Sequence, residues 1–344
     1  MPQTPSLADL MARRIRQDVQ SIQAYAIQDS QGMVKLDAME NPHRLAPELQ
    51  AALGQRLGAA AINRYPDARV ADVRHALADY AHMPAGCALM LGNGSDELIS
   101  LLAMACDVAS DPLTGARPVV LAPVPGFVMY AMSAQLQGLD FVGVPLTADF
   151  ALDTSAMLAA IAQHQPALVF LAYPNNPTAN LWDAQAMDAV VTAAGEAGSL
   201  VVVDEAYQPF SSRSYLDRMA AEPQRHAHVL LLRTLSKFGL AGVRIGYLMG
   251  RSELIAQIDK LRPPYNISVL NAECALFALG HAEVFAAQAE DIKAQRSRLL
   301  KAFAAMPGLQ AFPSDANMIL LRLHGDGRAT AVFEALKSQG ILVK

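Results

Sequence analysis

The stretch ALVFLAYPNNPTANLWDAQAMDAVVTAAGEAGSLVVVDEAY (167–207) decides how this chain folds. Two almost uninterrupted apolar runs, ALVFLAY (167–173) and SLVVVDEAY (199–207), flank AQAMDAVVTAAGEAG (184–198), which patterns as a helix. A strand that is apolar along its whole length has no wet face, as in a parallel sheet covered by crossover helices.

The alternation continues on both sides. Further strands are predicted near ALML (88–91), PVVLAP (118–123), DFVGVPL (140–146), HVLLLRT (228–234) and RIGYLMG (244–250), with a helix over ELISLLAMACDV (97–108). This pattern predicts an α/β domain with a mostly parallel sheet flanked by helices. The last two strands lie too close in sequence for a crossover helix, so an antiparallel member is expected there.

After RPPYNIS (262–268) the character changes. A long helical region over 269–305, a hairpin within GLQAFPSDANMILLRLHG (308–325), a helix over 328–338 and a last short strand in GILVK read as a smaller α+β domain. The expected division is an N-terminal arm (1–40), a large domain (41–265) and a small domain (266–344), with the double proline at 263–264 at the boundary.

Bulk properties narrow the function. A hydrophobic content of 53% over 344 residues supports a large core, and a net charge of −5 without a long basic run argues against nucleic acid as a partner. No apolar stretch approaches a membrane span and no signal region opens the chain, so a cytoplasmic protein is expected. The cysteines (Cys87, Cys106, Cys274) read as reduced core residues, and the eight histidines lack ligand spacing, so no metal is expected.

Four motifs sit at predicted strand ends. In LGNGSDE (91–97) a glycine turn leads into a helix, with Ser95 able to cap and the N–H groups of Asp96 and Glu97 directed outward, an arrangement that suits a phosphate or a plain strand-to-helix joint. In AYPNNPTAN (172–180), Asn176 precedes a proline in a turn that projects its amide or merely reverses the chain. Asp204 ends a buried strand, where an ionised carboxylate needs a cation unless it caps a helix, and Tyr207 follows three residues on. In RTLSKFGLAGVRIGY (233–247), the pair Ser236–Lys237 is followed seven residues later by Arg244, which suits a desolvated amine beside a second cation or an ordinary surface lysine at a strand end.

In a doubly wound sheet, ligands bind outside the carboxyl ends of the strands, so the four motifs are expected to face one crevice. An amine, a carboxylate, two neutral hydrogen-bonding groups and a phosphate cradle with its own arginine match the needs of pyridoxal 5′-phosphate.

Together with VKLDAMENP (34–42), NRYPD (63–67), PVPGFVMY (123–130) and RPPYNIS, these motifs make the chain from about residue 20 onward resemble the fold-type I pyridoxal-phosphate aminotransferases, and more closely the histidinol-phosphate aminotransferases. The resemblance implies a seven-stranded large domain with Lys237 as the Schiff-base lysine. Asp204 is then the partner of the pyridine nitrogen, and Tyr207 and Asn176 hold the ring oxygen. Ser95, Asp96, Glu97, Ser236 and Arg244 belong to the phosphate site, and Phe127 stacks on the ring. It further implies a homodimer in which Tyr65 reaches the neighbouring subunit's cofactor, with Tyr25 and Lys344 on the substrate side. The implied reaction is ping-pong transamination between L-histidinol phosphate and 2-oxoglutarate in histidine synthesis.

Two departures from the family pattern bear on this expectation. Ala179 stands where glycine is usual, adding roughly 1 kcal/mol of strain if the position needs a positive φ. Relatives also continue past the position of Lys344 with an arginine that grips the substrate anion, which leads one to expect a truncated form with weak or absent turnover. The other readings are a different aminotransferase, a threonine-phosphate decarboxylase-like enzyme, or a remnant that binds cofactor with little activity.

Overall fold

The structure, a computed structural model, describes residues 6–21, 28–67, 69–106, 116–325 and 327–344. The chain forms two compact units, one of residues 1–37 with 332–344 and one of residues 38–331. In the first, a helix at Leu7–Arg14 is started by Ser6, whose hydroxyl accepts the Asp9 N–H while the Asp9 side chain bonds back to the Ser6 backbone. The strand Val34–Lys35 pairs in parallel with Ile341–Leu342.

The second unit is built on a seven-stranded sheet. In chain order its strands are β1 (Cys87–Asn93), β2 (Val119–Val124), β3 (Asp140–Pro145), β4 (Leu168–Ala172), β5 (Leu200–Asp204), β6 (Val229–Thr234) and β7 (Ile245–Arg251). Across the sheet they run β1-β7-β6-β5-β4-β2-β3. β7 is antiparallel to both of its neighbours and the other pairings are parallel. The expected antiparallel member is therefore β7.

Every residue of β4 and β6 is buried, and the period-two alternation sorts their side chains into two cores. Val169, Leu171, Val201, Val203, Val229 and Leu231 face one layer, with Val73, Leu77, Met157, Ile161, Met187 and Val190 from helices. Leu168, Phe170, Val202, Leu230 and Leu232 face the other, with Leu98, Ile99, Leu102 and Ile255. Helices on both faces leave the strand ends as the place for a site.

The long helical region expected over 269–305 is two helices, Val269–Leu279 and Ala282–Ala304, bent by 75°. The first ends at Gly280, and its apolar residues Ala272, Ala275 and Ala278 pack on the sheet core. The expected hairpin pairs Leu309–Ala311 with Leu321–Leu323 antiparallel, and a helix spans Arg328–Ser338. Among the described residues, no single helix is long and apolar enough to cross a membrane.

Candidate active site

Because β1, β2, β4, β5 and β6 all point the same way, the loops that follow them emerge at one edge of the sheet. Asp204 is the last residue of β5 and only 4% exposed. Its Oδ2 accepts from the Tyr130 hydroxyl at 2.7 Å and its Oδ1 from the Ala206 N–H at 3.0 Å. Burial pushes its carboxyl up to about 6, and the two hydrogen bonds pull the other way. Among the described residues no cation is paired with it. Tyr207, buried beside it, has its hydroxyl pKa raised by burial and by the Asp204 charge.

Lys237 lies in a single tight turn, Ser236–Leu240, directly after β6. Its Nζ is half-buried, donates to the Ala38 carbonyl at 2.6 Å and stands 5.7 Å from the centre of the Tyr207 ring. The turn is possible because Gly239 adopts φ 140°, and a Cβ there would lie 2.8 Å from Phe285.

A cup lined by donors adjoins this turn. The helix Gly94–Ala105 starts at the end of β1, and its first N–H groups, Ser95 and Asp96 among them, have no acceptor within the helix. Arg244 points one guanidinium nitrogen at Asp96 Oδ2 (3.1 Å) and another at Ser236 Oγ (3.4 Å). Ser236 is held in turn by Thr234, which accepts its N–H at 3.1 Å. Two glycines shape the cup. A Cβ on Gly94 would meet the Arg244 guanidinium at 2.4 Å, and one on Gly246 of β7 would meet the Gly94 and Ser95 backbone at 2.6 and 2.7 Å.

The turn after β4 carries Asn176, half-buried, whose side chain has no partner among the described residues. Asn175 anchors that turn by donating to the Pro125 carbonyl (3.1 Å) and to Thr178 Oγ1 (2.7 Å). Ala179 has φ 65°, the left-handed conformation whose cost the sequence raised, and its methyl is fully buried. Phe127, at the start of the helix Val128–Gln137, meets Tyr130 edge-on at 5.7 Å, and Tyr130 stacks on Phe170 at 4.4 Å.

The remaining expected residues fall as follows. The Glu97 carboxylate accepts from the Asn93 N–H (2.6 Å) and from the Asn266 amide (2.7 Å), tying RPPYNIS to the cup. Tyr65 is 77% exposed and stacks on Tyr265 at 4.6 Å. Lys344 is exposed and belongs to the smaller unit. Tyr25 lies outside the described residues. Arg322, in the strand Leu321–Leu323, has its guanidinium 4.8 Å from the Phe312 ring centre and 5.2 Å from that of Phe150, and donates to the Ala148 carbonyl at 2.8 Å.

Several contributors escaped the sequence reading. Tyr130 and Thr234 sat inside quoted motifs, but only the fold shows what their hydroxyls reach. Behind Asp204, the buried Glu205 carboxylate accepts two bonds from Arg233, at 2.9 and 3.0 Å, tying the end of β5 to β6. The adjacency of these strands is the missing information.

These features fit pyridoxal phosphate. Among the described residues, a buried carboxylate paired with no cation suits a protonated ring nitrogen, Asn176 has an unmet amide for a ring oxygen, and Gly94 and Gly246 let the Arg244 guanidinium and the Ser95 backbone close in on one another as a set of phosphate donors.

Comparisons with known proteins agree. The family model for aminotransferase class I and II matches residues 31–344. The chain is 66% identical over 334 residues to the histidinol-phosphate aminotransferase of Polaromonas naphthalenivorans, covering 97% of this chain and 88% of the relative. It is 65% identical over 340 residues to the enzyme of the same name from Methylibium petroleiphilum, covering 99% and 88%. Among solved structures, the histidinol-phosphate aminotransferase from Sinorhizobium meliloti in complex with pyridoxal-5′-phosphate matches with a TM-score of 0.82 at 26% identity, over 96% of this chain and 89% of that one.

Proposed function

As this chain belongs to the class I and II aminotransferases, we propose that it moves the amino group between L-histidinol phosphate and 2-oxoglutarate, yielding imidazole acetol phosphate and glutamate, with pyridoxal phosphate as cofactor. The carrying observation is the buried Asp204 carboxylate, paired with no cation among the described residues and set at the same sheet edge as the Lys237 amine and the Arg244 cup.

In this reading the residues divide the work. Asp204 holds the proton on the cofactor's ring nitrogen, and Tyr207 and Asn176 donate to its ring oxygen. The N–H groups that open the helix Gly94–Ala105, with Ser95, Ser236 and Arg244, bind its phosphate. Bound pyridoxal phosphate supplies an electron sink for charge developing at the substrate Cα. Lys237 Nζ is the attachment point and then the base that carries the Cα proton. Phe127 covers one face of the ring.

The exposed Tyr65–Tyr265 stack supports a homodimer in which Tyr65 is presented to a second copy's site. A soluble, cytoplasmic enzyme of histidine biosynthesis follows from this reading.

The test is amino transfer by the purified protein from histidinol phosphate to 2-oxoglutarate, read as glutamate formed, against Lys237→Ala and a panel with threonine phosphate and other amino acids. Turnover fastest with histidinol phosphate and absent in the variant is expected. Preference for another donor, or unchanged turnover without Lys237, overturns the assignment.

A further inference from the structure

We propose that Asn317 is a positioning residue for Lys237, acting through two successive carbonyls of the 38–39 backbone. Asn317 Nδ2 donates to the Met39 carbonyl at 2.9 Å, and the preceding carbonyl, that of Ala38, accepts from Lys237 Nζ at 2.6 Å. Met39 stands between them at φ 51°, a conformation that a methionine holds only where its surroundings impose it. The neighbouring backbone is held close too: Asn41 donates to Gln288, and a Cβ on Gly239 of the lysine turn would lie 3.0 Å from Asn41 Nδ2.

The segment that carries Asn317 is pinned to other parts of the same edge. The Asp315 N–H donates to the Ala179 carbonyl at 2.8 Å, and Ala316 packs in one buried cluster with Tyr207 and Ala179. Arg296 donates to the Ala316 carbonyl at 2.7 Å, and Ser314 Oγ donates to the Met318 carbonyl. Asn317 therefore hangs from a rigid stretch, and its amide sets where residues 38–39 lie. An amine that must serve in turn as attachment point and proton carrier needs a defined acceptor when it is free, and the Ala38 carbonyl is one. Asn317 touches neither substrate nor cofactor in this scheme. The inference rests on the functional reading above.

The test compares Asn317→Ala and Asn317→Asp with the parent protein. The aspartate keeps the shape but cannot donate to the Met39 carbonyl. Both variants are expected to lower kcat about tenfold with KM within about twofold. In the apoprotein, attachment of pyridoxal phosphate to Lys237, followed by visible absorbance, slows to a similar degree, while binding of inorganic phosphate at the cup is unchanged.

A folded Asn317→Asp protein with parental kcat and attachment rate overturns the proposal. So does failure of both variants to fold, because the residue then serves stability. Failure of the parent to transfer amino groups would instead sink the functional reading while leaving the attachment assay intact, so the two ideas fail separately.

Discussion

The Tyr130 hydroxyl meets Asp204 Oδ2 at 2.7 Å, both groups buried, and this bond opposes the desolvation that lifts the carboxyl to about 6. A carboxylate kept in that position, with no cation paired to it among the described residues, is costly to the protein alone, and in the proposed role a cationic ring would offset that cost. Replacing Tyr130 by Phe removes only the hydroxyl. The Asp204 pKa should rise further, and cofactor affinity at neutral pH should fall by about 1–2 kcal/mol. Titration with pyridoxal phosphate from pH 6 to 8 checks this; an affinity equal to the parent's throughout refutes it.

Asp204 should also leave a mark on stability. Its folded pKa is raised from 3.8 to about 6, so the stability it contributes is present below 3.8 and lost as pH climbs through about 6. Asp204→Asn is then expected to make the apoprotein more stable at pH 8 by roughly 1–3 kcal/mol, with the difference vanishing near pH 4, while abolishing transfer activity. Thermal melts of the apoprotein at both pH values decide it.

Glu205 and Arg233 form a buried pair in which neither group has an outlet to water. Glu205→Gln leaves the guanidinium uncompensated and should cost about 3–5 kcal/mol in urea unfolding. Adding Arg233→Met should recover much of that loss. Additive losses would show that the two residues act independently.

The two cup glycines should fail in different ways. At Gly94 an added methyl meets the end of a flexible arginine, so Gly94→Ala displaces Arg244 and should weaken cofactor binding about tenfold, with strain of roughly 1 kcal/mol from the positive φ. At Gly246 the obstacle is backbone, which cannot step aside, so Gly246→Ala should destabilise the fold by on the order of 2–3 kcal/mol. Cofactor titration and denaturant unfolding of each variant separate the outcomes.

Ala179→Gly relieves about 1 kcal/mol of left-handed strain but removes a buried methyl worth about 0.8 kcal/mol. The two nearly cancel. A melting temperature within a degree or two of the parent is expected, and a large shift either way shows that one term has been misjudged.

Much of this molecule was legible in its residues. Runs such as VLLLRT and LVVVD leave no face for water, and the helices between them give strands that must lie parallel. The positions of Lys237, Asp204, Asn176 and Arg244 at strand ends followed from that pattern. The break at Gly280 was missed because apolar spacing continues across it, and a single glycine within a helical pattern is often tolerated.

By itself the sequence determined the layered α/β architecture and the chemistry gathered along one sheet edge, since strand periodicity and turn residues are local properties. Only the tertiary structure decided which hydroxyl reaches Asp204, which guanidinium matches Glu205 and which amide stands behind the resting place of Lys237. Those partners lie 74, 28 and nearly 280 residues apart in the chain, and the packing of distant segments, which no local propensity encodes, brings them together.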